Sequence, residues 1–268
     1  MSTDTPSTAQ DQADARRNQA PGDALLNCQD VSKSFGSVRA LVDVSVWARR
    51  GEVTALVGDN GAGKSTLVRC IAGVHRPDDG RIVFDGEETN FHSPEDARRA
   101  GMETVHQTLA LVPELTVWQN LFLNRERVRR LGPVAFLDRK GMQAESRTML
   151  SRLAVNVPSA GSRVGRLSGG QRQAVAISRA AGWGSKLVIM DEPTAALGVQ
   201  ETARVEELIR TLRDDGMAVL LISHNFDQVM RLSNQVWVMR AGRLVGGRRT
   251  ADTSGDELVA MITGTLTA

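Results

Sequence analysis

No stretch of this sequence approaches the roughly 18 consecutive apolar residues that a membrane-crossing helix needs, so no span of the bilayer is expected. Residues 2–23 contain no Leu, Ile, Val or Phe, and the apolar core of a secretory signal is therefore missing. Cysteine is scarce. Cys28 and Cys70 are the only two, and they form neither C-x-x-C nor a metal-ligand spacing. Both read as thiols of a reducing compartment, with Cys70 on the inward side of a helix. Charge of one sign is not concentrated either. The net charge is +2, and the arginines come as scattered pairs (Arg49-Arg50, Arg98-Arg99, Arg129-Arg130, Arg248-Arg249). That pattern excludes a polyanion-binding stripe, and no nucleic-acid partner is expected. No internal repeat is visible. A cytoplasmic chain is the expectation.

What is present is ordinary for a globular protein: 268 residues, 41% apolar and 24% charged, enough for one or two domains. Residues 1–23 are rich in Ser, Thr, Asp, Gln and Ala and cannot bury enough surface to order themselves. The fold is expected over residues 24–262, with residues 263–268 as a C-terminal tail. Short β-like runs (Leu25–Cys28, Val42–Trp47, Val53–Val57, Ile82–Phe84) are punctuated by Gly36, Gly51 and Gly80. They predict a small antiparallel sheet meeting a parallel one. After Gln107 the pattern turns helical, and no equally convincing strand returns before Leu187–Met190, so about 108–170 reads as a helical insertion. Val205, Leu208, Ile209 and Leu212 then mark one helix face, and Ala218–Ile222 is another buried strand. This alternation predicts parallel strands with right-handed crossovers. Val236–Met239 and Leu244-Val245 read as a closing hairpin.

Three segments carry chemistry. Gly58-Asp59-Asn60-Gly61-Ala62-Gly63-Lys64-Ser65 fits the phosphate-loop pattern GxxxxGK[ST], with Thr66 next, and follows the strand-like Val53–Val57. Its glycines let successive N–H groups point at anionic oxygens near a helix N-terminus. Lys64 brings a charge to the β- and γ-phosphates, and Ser65 a hydroxyl to Mg²⁺. Leu187–Met190 runs into Asp191 and Glu192. An Asp at the end of a buried strand can hold the Mg²⁺ shell, and Glu192 can polarise an attacking water. A helix or turn start at Asp-Glu-Pro is the bland alternative, which the phosphate loop upstream makes the weaker one. In Leu167-Ser168-Gly169-Gly170-Gln171, Ser168 and the N–H groups of Gly169 and Gly170 would open a helix over Gln171–Ala181, a second anion-binding N-terminus.

In chain order the phosphate loop, Gln107 in Glu-Thr-Val-His-Gln, Leu167–Gln171, Leu187–Glu192 and His224 in Leu-Ile-Ser-His resemble the ATP-binding subunits of ABC transporters. The resemblance covers essentially all of residues 24–262. It implies an α/β phosphate-loop NTPase core, with a mixed sheet, flanking helices, a small antiparallel subdomain and an inserted helical subdomain. ATP and Mg²⁺ would be the ligands. Gln107 would join Ser65 and Asp191 on Mg²⁺ and sense the transporter. His224 would contact the γ-phosphate beside Glu192, and Phe35 would stack on adenine. The segment Leu167–Gln171 would serve the ATP of a second ATPase subunit, sandwiching two ATPs in a head-to-tail dimer, most simply a homodimer. The remaining partners would be an integral-membrane permease and, indirectly, a sugar-binding protein, with the chain on the cytoplasmic face of the cell membrane. Residues 73–80, 110–117 and 192–199 look like those of fructose, ribose and xylose importers. Two departures stand out. Gly198 occupies the place where most relatives have Asp, and only one of each motif is present, whereas many sugar importers fuse two ATPase halves. Soluble relatives acting on nucleic acid or ribosomes are the alternative, but their long insertions or fused halves are missing. A GTPase would need Asn-Lys-x-Asp, which is absent, and exporters usually add membrane helices.

Overall fold

A computed structural model describes residues 20–131 and 134–265. Strands β1 (Ala24–Phe35) and β2 (Val38–Arg49) form a long antiparallel pair closed by a tight turn at Gly36, whose φ of 58° suits a residue without Cβ. β4 (Asp79–Phe84) pairs with the other side of β1, and the two-residue β5 (Glu87–Glu88) finishes the edge. β1 runs well past the expected Cys28. A register shift between Cys28 and Val31, with Asp30 at φ 52°, breaks the period-2 pattern that marks a strand in sequence.

The second sheet has the order β12-β11-β3-β10-β9-β6. These are β3 (Val53–Gly58), β6 (Met102–Val105), β9 (Leu187–Asp191), β10 (Ala218–Ile222), β11 (Gln235–Arg240) and β12 (Arg243–Arg249). All neighbours are parallel except β12, which forms the expected hairpin with β11. β3 shows why its central strands are continuous apolar runs: both faces are covered. Leu56 joins the core shared with the antiparallel sheet and α1 (Lys64–Ile71). Val53, Ala55 and Val57 face the opposite side, towards α5 (Gly169–Ala181), α6 (Val199–Asp214), α7 (Phe226–Leu232) and α8 (Gly255–Thr263). Val205, Leu208, Ile209 and Leu212 are buried along α6 as their spacing requires. Trp237 locks the two sheets together. It is fully buried, its indole donates to Trp47 O at 2.9 Å, and its ring meets Trp47 edge-on at 5.4 Å.

α2 (Pro94–Ala100) leads into β6. The segment after Gln107 then builds its own apolar cluster from Val117, Phe122, Met142, Leu150, Val164 and Val175, carried by α3 (Val117–Leu121), α4 (Arg139–Arg152) and the start of α5. Here the structure differs from a purely helical segment. A hairpin of β7 (Val128–Leu131) and β8 (Val134–Leu137) lies within it. Each strand is four residues long, and Val128, Val134, Phe136 and Leu137 are exposed, so no buried face wrote an alternation into the sequence. At the ends, Ala20 packs against the core and Asp23 pairs with Arg49 at 3.2 Å. Residues 1–19 and 266–268 of the two expected tails lie outside the described residues. Cys28 and Cys70 are buried free thiols, and burial pushes the Cys70 pKa up to about 11 and that of Cys28 higher still. Among the described residues no helix is long and apolar enough to cross a membrane.

Candidate functional site

Parallel register brings the motifs to one edge of the sheet. Leu56 stands beside Ile222, Ile222 beside Asp191, and Met190 beside Val105. The loop after β3 (Gly58–Ser65), Asp191-Glu192 at the end of β9, Ser223-His224 after β10 and His106-Gln107 after β6 therefore leave the same carboxyl edge, where open α/β sheets bind ligands.

Backbone geometry explains the loop's composition. A Cβ on Gly58 would lie 2.2 Å from Met239 O, and one on Gly63 would lie 2.7 Å from Ala40 O. Both sit at positive φ, 152° and 100°. Gly61 has open space around it but a φ of 79°. Asn60 N donates to Asp59 Oδ1 and Ala62 N to Asp59 O, closing the turn. α1 then starts at Gly63 with no side-chain cap and no acidic residue in its first turn, which holds Lys64, Ser65 and Thr66. Its first N–H groups and its dipole suit an anion. The Lys64 ammonium donates to Gly58 O at 2.7 Å and Asp59 O at 3.0 Å. Burial lowers its pKa, opposed by the carboxylates of Glu192, Asp59 and Asp191. That opposition places Lys64 within electrostatic reach of both residues at the end of β9.

Glu192 and His224 meet directly, Oε1 to Nδ1 at 2.7 Å. The carboxylate is mostly buried and the imidazole mostly exposed. Glu192 is held at φ 51°, with its N–H donated to Ile222 O at 2.9 Å across the neighbouring strand. A carboxylate at Nδ1 favours the tautomer that leaves Nε2 as the outward-facing acceptor. Gln107 is exposed just beyond β6. Phe35, at the end of β1, is 45% exposed. Its ring meets His75 edge-on at 5.2 Å, with the Lys33 ammonium 5.7 Å from its centroid. Lys33 in turn pairs with Asp78 at 2.6 Å, and this bond, together with the Ser34 N–H, holds the Asp78 carboxyl below its ordinary pKa.

Ser168 and Gln171 form a reciprocal cap: Gln171 N donates to Ser168 Oγ at 3.3 Å, and Ser168 N to Gln171 Oε1 at 3.0 Å. The helix consequently begins at Gly169, two residues before the expected Gln171. Leu167 anchors the segment in the helical cluster. Glu201, in the first turn of α6, belongs to none of the sequence motifs. A Cβ on Gly170 would lie 2.9 Å from Glu201 Cβ. The Ser168 hydroxyl, then the N–H groups of Gly170 and Gly198, hold the Glu201 carboxyl below its ordinary pKa. An acid three residues after a helix-opening Gly198 was the available signal. Lys64, Asp191, Glu192 and His224 thus gather at one site, while Ser168 finds its partners in Gln171 and Glu201.

The donors offered to a cation fit Mg²⁺: the Ser65 hydroxyl, the Asp191 carboxylate and the Gln107 amide supply only hard oxygens. Among the described residues no cluster of three or more His, Cys, Asp or Glu could hold a metal by itself. An ion completed by substrate phosphates and water suits such a set.

Comparison with known proteins gives a consistent picture. A family model described as ABC transporter matches residues 41–195. The xylose/arabinose import ATP-binding protein XylG of Sulfolobus acidocaldarius is 45% identical, covering 89% of this chain and 94% of its own. The fructose import ATP-binding protein FrcA of Rhizobium meliloti is 43% identical, over 90% and 94%. The ribose import ATP-binding protein RbsA 2 of Streptomyces avermitilis is 41% identical over 90% of this chain, which spans only 47% of that protein. A solved nucleotide-free ATP-binding cassette from an ABC transporter superposes with a TM-score of 0.76 at 25% identity, covering 90% of this chain and 95% of that one.

Proposed function

Because the chain belongs to the ABC transporter family as an ATP-binding, ATP-hydrolysing subunit, we propose that it drives uptake of a monosaccharide through a membrane permease. The observation that carries the sugar is its likeness to xylose/arabinose and fructose import proteins over 94% of their length. Disrupting its gene is expected to abolish cellular uptake of one radiolabelled sugar among xylose, arabinose, fructose and ribose. The intact gene restores that uptake and a Lys64→Ala copy does not. Unchanged uptake of all four would overturn the sugar assignment.

Gly58–Thr66 take the phosphates, Lys64 meets the β- and γ-oxygens, and the partly exposed Phe35 ring takes adenine. Ser65, Asp191 and Gln107 would hold Mg²⁺, which when bound would neutralise charge on the transferring phosphoryl group. Glu192, held by its contact with His224 Nδ1, accepts a proton from the attacking water. A permease fits the groove of about 410 Å³ between α2, β6 and the helical insertion, lined by His106, Leu109, Arg125 and Trp183. Arg179 ties the backbone carbonyls of Leu109 and Ala110 into this wall, just beyond Gln107, at 3.3 and 2.9 Å. Contact there is therefore passed to the nucleotide edge. The subunit works at the inner face of the membrane beside that permease, with a sugar-binding protein upstream.

The second cradle, Leu167–Gln171, completes the ATP site of a second copy. Ser168→Arg puts a bulky cation at a helix N-terminus where both dipole and sterics oppose it. Near-normal ATP affinity of the isolated subunit with almost no turnover is expected. Loss of ATP binding by that monomer would mean that both cradles share one cleft, and the dimer assignment would fall.

A further inference from the structure

Behind the Glu192–His224 contact lies a buried polar crosslink. Gln228, the third residue of α7, is fully buried. Its Nε2 donates to Thr194 Oγ1 at 2.9 Å, and its Oε1 accepts from Ser223 Oγ at 3.0 Å. Thr194 is two residues after Glu192, and Ser223 immediately precedes His224. Ser223 Oγ also accepts from Asn225 N at 3.1 Å, and the Asn225 side chain accepts from Gln228 N at 3.0 Å, which closes the loop around His224. The orientation of the amide is set from the far side. Glu206, 5% exposed, lies 3.5 Å from Nε2 and is paired with Arg231 at 2.7 Å and Arg210 at 3.5 Å. With a carboxylate on that side the NH₂ must face it, so the carbonyl faces Ser223.

We propose that Gln228 is the positioning residue of the Glu192–His224 pair, clamping together from behind the two loops that carry it. The inference rests on the catalytic reading of that pair. Side-chain amides buried with every partner in place define one geometry, and removing one such amide frees both loops at once. Neither loop has an equivalent tie among the described residues. The bonds Glu192 N to Ile222 O and His224 Nδ1 to Glu192 Oε1 lie on the front side, between the loops themselves. An error of about 1 Å in a catalytic group is enough for a rate loss on the order of 10²-fold.

The test is a double-mutant cycle on the full chain, with kcat, KM and nucleotide affinity measured for Gln228→Met, His224→Ala and the double variant. Gln228→Met is expected to lower kcat on the order of 10- to 100-fold, leaving ATP affinity within about twofold. In the His224→Ala background the same change is expected to cost less than about threefold, because no pair is left to hold. An equal loss in both backgrounds, or a loss confined to ATP affinity, overturns the proposal, since a general packing defect is indifferent to His224. Should Gln228→Met not fold, Thr194→Val removes one partner of the clamp and enters the same cycle. A His224→Ala protein with wild-type kcat would instead overturn the catalytic reading itself and this inference with it, an outcome visible before Gln228 is changed.

Discussion

Lys64→Ala is expected to cost ATP turnover at least 10²-fold, the scale on which loss of one fixed donor to developing charge is felt, and to weaken nucleotide binding with it. The geometry gives the reason. The ammonium rests on Gly58 O and Asp59 O within the loop, partly buried and within reach of Asp191 and Glu192. In that position it balances acceptors and carboxylates that would otherwise repel a polyphosphate. The fold does not depend on it. Gly58 pairs with Met239 in the parallel sheet, Ala62 O accepts from Gly242 N at 3.0 Å, and α1 is anchored by the buried Leu67, Val68, Cys70 and Ile71. A melting temperature near wild type is therefore expected beside calorimetric loss of ATP binding. Wild-type affinity and phosphate release in this variant would remove the phosphate-loop assignment.

Glu192→Gln is expected to slow hydrolysis by roughly 10²–10⁴-fold, the usual range for a lost general base, while ATP binding persists. The substitution is conservative in shape. A glutamine carbonyl can still accept from His224 Nδ1 at the 2.7 Å seen for the carboxylate, so the pair keeps its geometry and loses only its basicity. ATP-bound dimers are then expected to accumulate, visible as a shift in size-exclusion chromatography on adding ATP. A monomer with and without ATP, combined with unimpaired hydrolysis, would overturn both the base assignment and the dimer.

The chemistry was legible where it is written contiguously. The loop Gly58–Ser65 follows a buried strand, and four apolar residues precede Asp191-Glu192, so strand, turn and candidate site could be read from adjacent residues. The central strands β3, β9, β10 and β11 were equally plain, because strands covered on both faces are largely apolar, whereas the edge strand β6, Met-Glu-Thr-Val, offered no such run. Features that depend on a distant partner were not legible. Glu201 and Gln228 are ordinary helix residues in sequence, and only the approach of α6 to Gly170 and of α7 to Thr194 gives them a task. The left-handed Glu192 left no trace either, since nothing in Met-Asp-Glu-Pro announces a positive φ. The paired strands β7 and β8 escaped for the opposite reason: Val128, Val134, Phe136 and Leu137 are exposed and left no pattern of burial.

The carboxylate of Glu201 gives a lone subunit a property that its glycines alone would not. Two helix N-termini, those of α5 and α6, converge on one side chain, through Gly170 N–H and Gly198 N–H. On the proposed dimer arrangement, the surface offered to a second copy is neutralised while the subunit is alone, and phosphate or sulfate drifting past meets a like charge instead of bare amide hydrogens. Pairing of two subunits would then be an exchange of one anion for another of higher charge, selective for what the partner brings.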